Sequence, residues 1–119
     1  MTDRQLQPEP SLHHSGSPDD LRLEAGAAVF KMLADPTRLH LLWLLTQSPA
    51  DVTALVDHTA ASRTSVSQHL AKLRFSGLVT TRKEGQRVVY SIADGHLARL
   101  VREGMNLADH RVSGEPIHG

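Results

Sequence analysis

Residues 62–73 read SRTSVSQHLAKL. Val66, Leu70 and Leu73 recur at a three-to-four spacing, which puts one face of a helix against a core. Ser65, Ser67, Gln68, His69 and Lys72 stand between them, and no acid occurs between Ser62 and Arg74. Ser62 is a natural N-cap for such a helix. A helix with a polar, acid-free outer face has hydrogen bonds to give to a negatively charged partner.

The flanking sequence turns this helix into a motif. VTALVDH (52–58) predicts a short helix capped by Asp51, and a brief break follows at 58–61. Two short helices joined by a tight turn, the second polar on its outside, form a helix-turn-helix. After Gly77 the period drops to two: LVTTRKEGQRVVYSI predicts strands at 78–83 and 87–92 around a turn at Glu84–Gly85. Arg82, Lys83, Gln86 and Arg87 form the rim of that turn. A helix-turn-helix followed by a basic hairpin is a winged helix.

Upstream, DLRLEAGAAVFKMLA (20–34) predicts a first helix, with Ala27, Phe30, Met32 and Leu33 as core or dimer contacts. Asp35 as N-cap and Pro36 in the first turn open a second helix to about Gln47, with Leu39, Leu42, Trp43 and Leu45 as candidates for burial. Downstream, a last helix runs from near Asp94 to about His110, with Leu97, Leu100, Val101, Gly104 and Ala108 on roughly one face. The expected fold is mainly α: one winged helix-turn-helix domain at 19–110 with a two-stranded wing. A flexible histidine-containing tail (1–18) and a second flexible tail (111–119) flank it.

Composition bounds the function. The 119 residues suffice for one domain, and with 3% aromatic residues the core must be leucine, valine and alanine. A small core of that kind often shares further apolar surface with a second copy. The net charge is 0, but residues 60–90 hold six cations against Glu84 alone, a local +5. Cysteine is absent, which excludes disulfides, thiolate nucleophiles and sulfur-rich metal sites. There is no phosphate-cradling glycine loop and no HExxH motif, so an enzyme is not expected. No secretion signal is visible and LHLLWLL is too short to span a bilayer, so no membrane role and a cytoplasmic location are expected.

The residue types then point to duplex DNA. Ser62, Thr64 and Ser65 at a helix N-terminus suit phosphate contacts. Gln68 can pair with adenine in bidentate fashion, Arg63 can reach guanine or a phosphate, and His69 can donate to either. Ser67 and Lys72 complete the face, and Arg82, Lys83 and Arg87 of the wing grip the backbone or minor groove.

The last helix carries a second pattern. His96 and His110 are fourteen residues apart, about 21 Å along a helix but only about 40° apart around its axis. They cannot share a metal within one helix, yet two copies paired antiparallel would bring His96 of one near His110 of the other. Asp94 can join as a carboxylate ligand, or serve only as an N-cap. Asp109 points well away unless the helix frays there. Nitrogen and oxygen donors suit zinc, nickel or cobalt. His118, His13 and His14 in the tails could raise the ligand count towards six, favouring nickel(II) or cobalt(II) over tetrahedral zinc.

FKMLADPTRLHLLWLL (30–45), TSVSQHLAKLRFSGLV (64–79) and RKEGQRVVYSIADGHLARLV (82–101) together resemble the ArsR/SmtB family of metal-responsive winged-helix repressors, over roughly residues 25–110. The resemblance implies a homodimer, formed through the first and last helices, that binds operator DNA when metal-free and leaves it on binding metal. One branch uses cysteines ahead of the recognition helix, which this chain lacks. The zinc-type site pairs Asp-x-His with His-x-x-His or His-x-x-Glu. Asp94, His96 and His110 match it, but Leu107 stands at the fourth position. A mycobacterial nickel- and cobalt-sensing member fits better. His96 matches its first ligand, Asp109 stands for its glutamate, and His110 and His118 follow, with Gly119 in place of a further histidine. The expected function is a repressor released by nickel or cobalt that derepresses metal efflux or homeostasis genes. The alternatives are a zinc-sensing repressor and a winged-helix regulator without metal input.

Overall fold

The computed structural model describes residues 16–114. The elements are α1 (Asp20–Leu33), α2 (Pro36–Gln47), α3 (Val52–Asp57), α4 (Arg63–Phe75), β1 (Val79–Glu84), β2 (Arg87–Ile92) and α5 (Gly95–Ser113). The chain divides into two units, one ending at Met32 and one starting at Leu33. In the first, α1 buries no residue and leaves Leu21, Leu23 and Phe30 exposed. Phe30 was expected as a core or dimer contact; it is no core residue here.

The second unit is the winged helix, and each of its helices starts at a side-chain cap. The carboxylates of Asp35, Asp51 and Asp94 and the hydroxyl of Ser62 accept from the backbone N–H three residues on, opening α2, α3, α5 and α4. Helix α4 closes in a Schellman motif. Gly77, at φ 78°, donates to the Arg74 carbonyl, and Leu78 donates to the Leu73 carbonyl. That closure turns the chain directly into β1.

Strands β1 and β2 pair antiparallel from Val79↔Ile92 to Glu84↔Arg87. The loop is Gly85–Gln86, with Gly85 at φ 64° supplying the left-handed residue a two-residue hairpin needs. The first strand begins one residue later than the sequence pattern predicts, because Leu78 is used to close α4. A third segment joins the hairpin: Ala50 and Tyr90 exchange both backbone hydrogen bonds, at 3.1 and 2.8 Å.

The core is aliphatic, as the composition requires. It comprises Leu41, Leu42, Leu45, Leu55, Val66, Leu70, Leu73, Val79, Val89, Leu97, Ala98 and Val101. Val66, Leu70 and Leu73, the apolar positions of the decisive stretch, are all 0% exposed. Of the burial candidates on α2, Leu42 and Leu45 are buried, Leu39 is half-buried and Trp43 is 37% exposed, while Leu41, which was not among them, is fully buried. Helix α2 packs against α4, α5 and β2, so its buried stripe runs through Leu41, Leu42 and Leu45, and Trp43 lies beyond it.

Helix α5 runs three residues past the expected end at His110, and Gly114 at φ 79° terminates it. Its buried residues lie in its first half. Leu97, Ala98 and Val101 are buried, whereas Gly104, Leu107 and Val112 are exposed.

Candidate nucleic-acid interface and metal centre

The packing of Val66, Leu70 and Leu73 inward leaves Arg63, Thr64, Ser67, Gln68, Ala71 and Lys72 exposed along α4. Ser62 is exposed at the cap, and Ser65 is half-buried and donates its N–H to the Ser62 hydroxyl. The helix has no acid in its first turn and two cations, Lys72 and Arg74, in its last. Negative charge is therefore welcome along its length, and the N-terminal N–H groups add to that at the start.

Two of the expected contact residues are tied to the protein. Arg63 donates from both terminal guanidinium nitrogens, Nη1 and Nη2, to the Thr53 hydroxyl, at 3.3 and 3.2 Å, which links α4 to α3. His69 is not on the open face. Its side chain is 19% exposed; Arg38 Nη1 donates to its Nδ1 at 3.3 Å and its Nε2 lies 3.8 Å from the Asp35 carboxylate.

The wing cations are also unequal. Arg82 is paired with Glu84 at 2.6 Å. Arg87 lies 2.8 Å from Asp51 and 3.7 Å from Glu84. The Asp51 carboxyl is held below the usual carboxylate range, first by the Ala54 N–H and then by the Arg87 hydrogen bond. The same pairing raises Arg87 above the usual arginine value. Arg87 thus staples β2 to the start of α3. Lys83 is exposed, on the opposite face of β1 from Arg82 and Glu84. Neither the Asp51–Arg87 link, 36 residues apart, nor the His69 cluster is visible as a sequence period. Both depend on tertiary approach.

On α5, the Asp94 carboxylate accepts from the Leu97 N–H at 2.9 Å. His96 is exposed and accepts from Arg99 at Nδ1, at 2.9 Å. His110 is half-buried and Asp109 exposed. The helix is regular through both, so Asp109 points about 140° around the axis from His96. The donors are chemically suited to nickel, cobalt or zinc. Yet among the described residues no group of three His, Cys, Asp or Glu side chains is close enough to hold an ion. His13, His14 and His118 lie outside the described residues.

The profile described as "Bacterial regulatory protein, arsR family" matches residues 35–81, from the cap of α2 to the middle of β1. The HTH-type transcriptional regulator KmtR of Mycobacterium tuberculosis is 41% identical over 90 residues, which cover 76% of this chain and 69% of that protein. This chain belongs to the ArsR family. The family's HTH-type transcriptional regulator CmtR of Mycobacterium bovis is 40% identical over 84 residues, covering 71% of each chain. Among solved structures, the homodimeric winged helix-turn-helix DNA-binding domain Mb0332 of Mycobacterium bovis superposes with a TM-score of 0.72. It shows 34% identity and covers 89% of this chain and 100% of that one. Family and fold together make this ArsR-family chain a DNA-binding transcriptional regulator and not an enzyme. No helix among the described residues is long and apolar enough to cross a membrane.

Proposed function

We propose that the chain is a repressor that binds operator DNA as a homodimer when metal-free and releases it on taking up nickel or cobalt. The observation that carries the DNA half is the acid-free exposed face of α4, with Thr64, Ser67, Gln68 and Lys72 turned outward. In this reading Gln68 reads a base, Ser62, Thr64, Ser65 and Ser67 hold phosphates or base edges, and Lys72 and Lys83 meet the backbone. Arg63, Arg82 and Arg87 reach the duplex by exchanging their present partners for phosphate.

The metal half rests on His96 and His110, at opposite ends and on nearly the same side of one unbroken helix. Exposed Leu107 and Val112 give α5 apolar surface for a second copy, as Leu21, Leu23 and Phe30 do for α1. His96 of one copy and His110 of the other then share a site. Asp94, Asp109 and His118 are the further donors that the family resemblance nominates, and His13 and His14 are those that the tail sequence adds. A bound nickel or cobalt ion would supply a link between the imidazole and carboxylate groups of two subunits. Uptake releases DNA only if these ligands close more tightly in the geometry that holds DNA weakly, because the coupling is reciprocal. Zinc is the second reading, favoured by Asp94 and His96 at the spacing of the family's zinc pair.

The test is titration of metal-free protein with nickel, cobalt and zinc while following release from a duplex selected by the protein from a randomised pool. Nickel or cobalt release at one or two ions per dimer is expected. Stoichiometric release by zinc alone would favour the second reading, and no metal uptake would refute both. Mixing His96→Ala with His110→Ala subunits locates the site. A shared site is restored once per heterodimer, whereas a site within one subunit is not restored.

A further inference from the structure

His69, a member of the proposed DNA-facing set, is half-buried and is held by side chains of another helix. Its imidazole lies between two groups at the start of α2, a helix 31 residues back in sequence. Arginine has no acceptor, so the 3.3 Å contact is donated by Arg38 Nη1 and accepted by His69 Nδ1. In a neutral imidazole that contact puts the lone pair on Nδ1 and the proton on Nε2, which faces the Asp35 carboxylate 3.8 Å away. Asp35 is itself held in place, because its carboxylate caps α2 through the Arg38 N–H at 3.0 Å. Backbone cap, guanidinium and imidazole form one closed cluster, with Asp35 33% exposed and His69 19% exposed at their side chains. The Asp35 carboxyl is held below the usual range, first by that backbone hydrogen bond, so it remains charged opposite the imidazole.

We infer that His69 is a positioning residue that locks the rotation and height of the recognition helix on α2 and so sets where Gln68 meets a base. The inference rests on the reading of α4 as the DNA-facing helix. The apolar contacts of Val66, Leu70 and Leu73 hold α4 down, but aliphatic contacts are non-directional. The directional restraint on the middle of the helix comes from His69, the residue next to Gln68. An error of a fraction of an ångström there matters for a bidentate base contact and little for phosphate contacts. Loss of the cluster should therefore reduce discrimination more than overall affinity.

The experiment is a double-mutant cycle on full-length protein, using the selected duplex and a scrambled duplex. His69→Leu should weaken the selected duplex about tenfold and the scrambled one less than about twofold, with unchanged melting temperature. In an Arg38→Met background, His69→Leu should add less than about twofold, because its partner is already gone. His69→Asn, whose amide oxygen stands near the place of Nδ1, should recover most of the loss. An equal loss in both backgrounds would mean that His69 touches DNA itself, and would overturn the inference. Nitrogen-15 NMR of the free protein gives a readout independent of DNA. An unprotonated Nδ1 on His69, lost as a preference in Arg38→Met, is expected, and a protonated Nδ1 would overturn the cluster. If the wild-type chain discriminates between no duplexes while His69 shows the expected tautomer, the reading of α4 fails and the positioning role with it. The tautomer result then separates that failure from failure of the cluster.

Discussion

Replacing Gln68 by alanine should separate the two faces of α4. Gln68 is exposed, so its truncation opens no cavity and stability should stay within about 0.5 kcal/mol. A lost bidentate contact to adenine costs about 1–3 kcal/mol for each half-site. In the proposed homodimer, two copies on a two-fold operator double that to about 2–6 kcal/mol, or roughly 30-fold to 20,000-fold in affinity. Phosphate contacts are untouched, so affinity for a scrambled duplex should barely move. Fluorescence anisotropy with both labelled duplexes, at two salt concentrations, measures the difference. Leu70→Ala, two residues on, is the opposite case. Leu70 is 0% exposed, and its truncation should cost about 2–5 kcal/mol of folding stability without selective loss of one duplex. If Gln68→Ala weakened both duplexes equally, or neither, α4 would not be the base-reading element.

Lys83→Ala should lower the slope of log affinity against log salt by about one, while Arg82→Ala and Arg87→Ala, which also free Glu84 or Asp51, should have mixed effects; a slope unchanged in Lys83→Ala would remove the wing from the interface. Asp94→Asn keeps a capping oxygen and should melt like the parent, whereas Asp94→Ala should lose about 1 kcal/mol. Nickel titration calorimetry on the asparagine variant then decides whether Asp94 is a ligand, since undiminished affinity would make it only a cap. Asp51 titrates below the usual carboxylate range in the folded chain, so its contribution is full above the unfolded value and is lost as pH falls through the folded one. The urea midpoints of wild type and Asp51→Asn should accordingly converge in acid, and a gap constant from neutral pH downward would refute this.

Much of the fold is legible because local rules and tertiary packing agree. Aspartate or serine before each helix gives the caps, Gly77 marks the end of α4, and alternation after it gives the hairpin. Burial is less legible where a helix meets several neighbours. Trp43 looks like core by composition, but the stripe that faces α4, α5 and β2 passes through Leu41 instead. For the site, the sequence identifies the polar helix and the basic wing but gives no partner to their cations or to His69. His69, Arg63, Arg82 and Arg87 each have a protein partner, and apart from Glu84 beside Arg82 those partners are set by tertiary approach. The histidine pair on α5 is legible as a spacing, because an unbroken helix preserves it. In the proposed dimer, what it faces is set by a second copy of the chain.

The short pairing of Ala50 with Tyr90 bears on how this protein avoids its own strands. A two-stranded ribbon has two open edges, each able to recruit a strand from another molecule. On β2 the outer edge is already occupied at its centre by Ala50, which takes both backbone groups of Tyr90. On β1 the outer edge has no strand partner among the described residues, but its distal half reads Arg82, Lys83, Glu84. A foreign strand laid there would have to set its own side chains against three consecutive charges. Charges on the wing thus also guard it against edge-to-edge aggregation, and neutralising all of them at once should first be noticed as a loss of solubility.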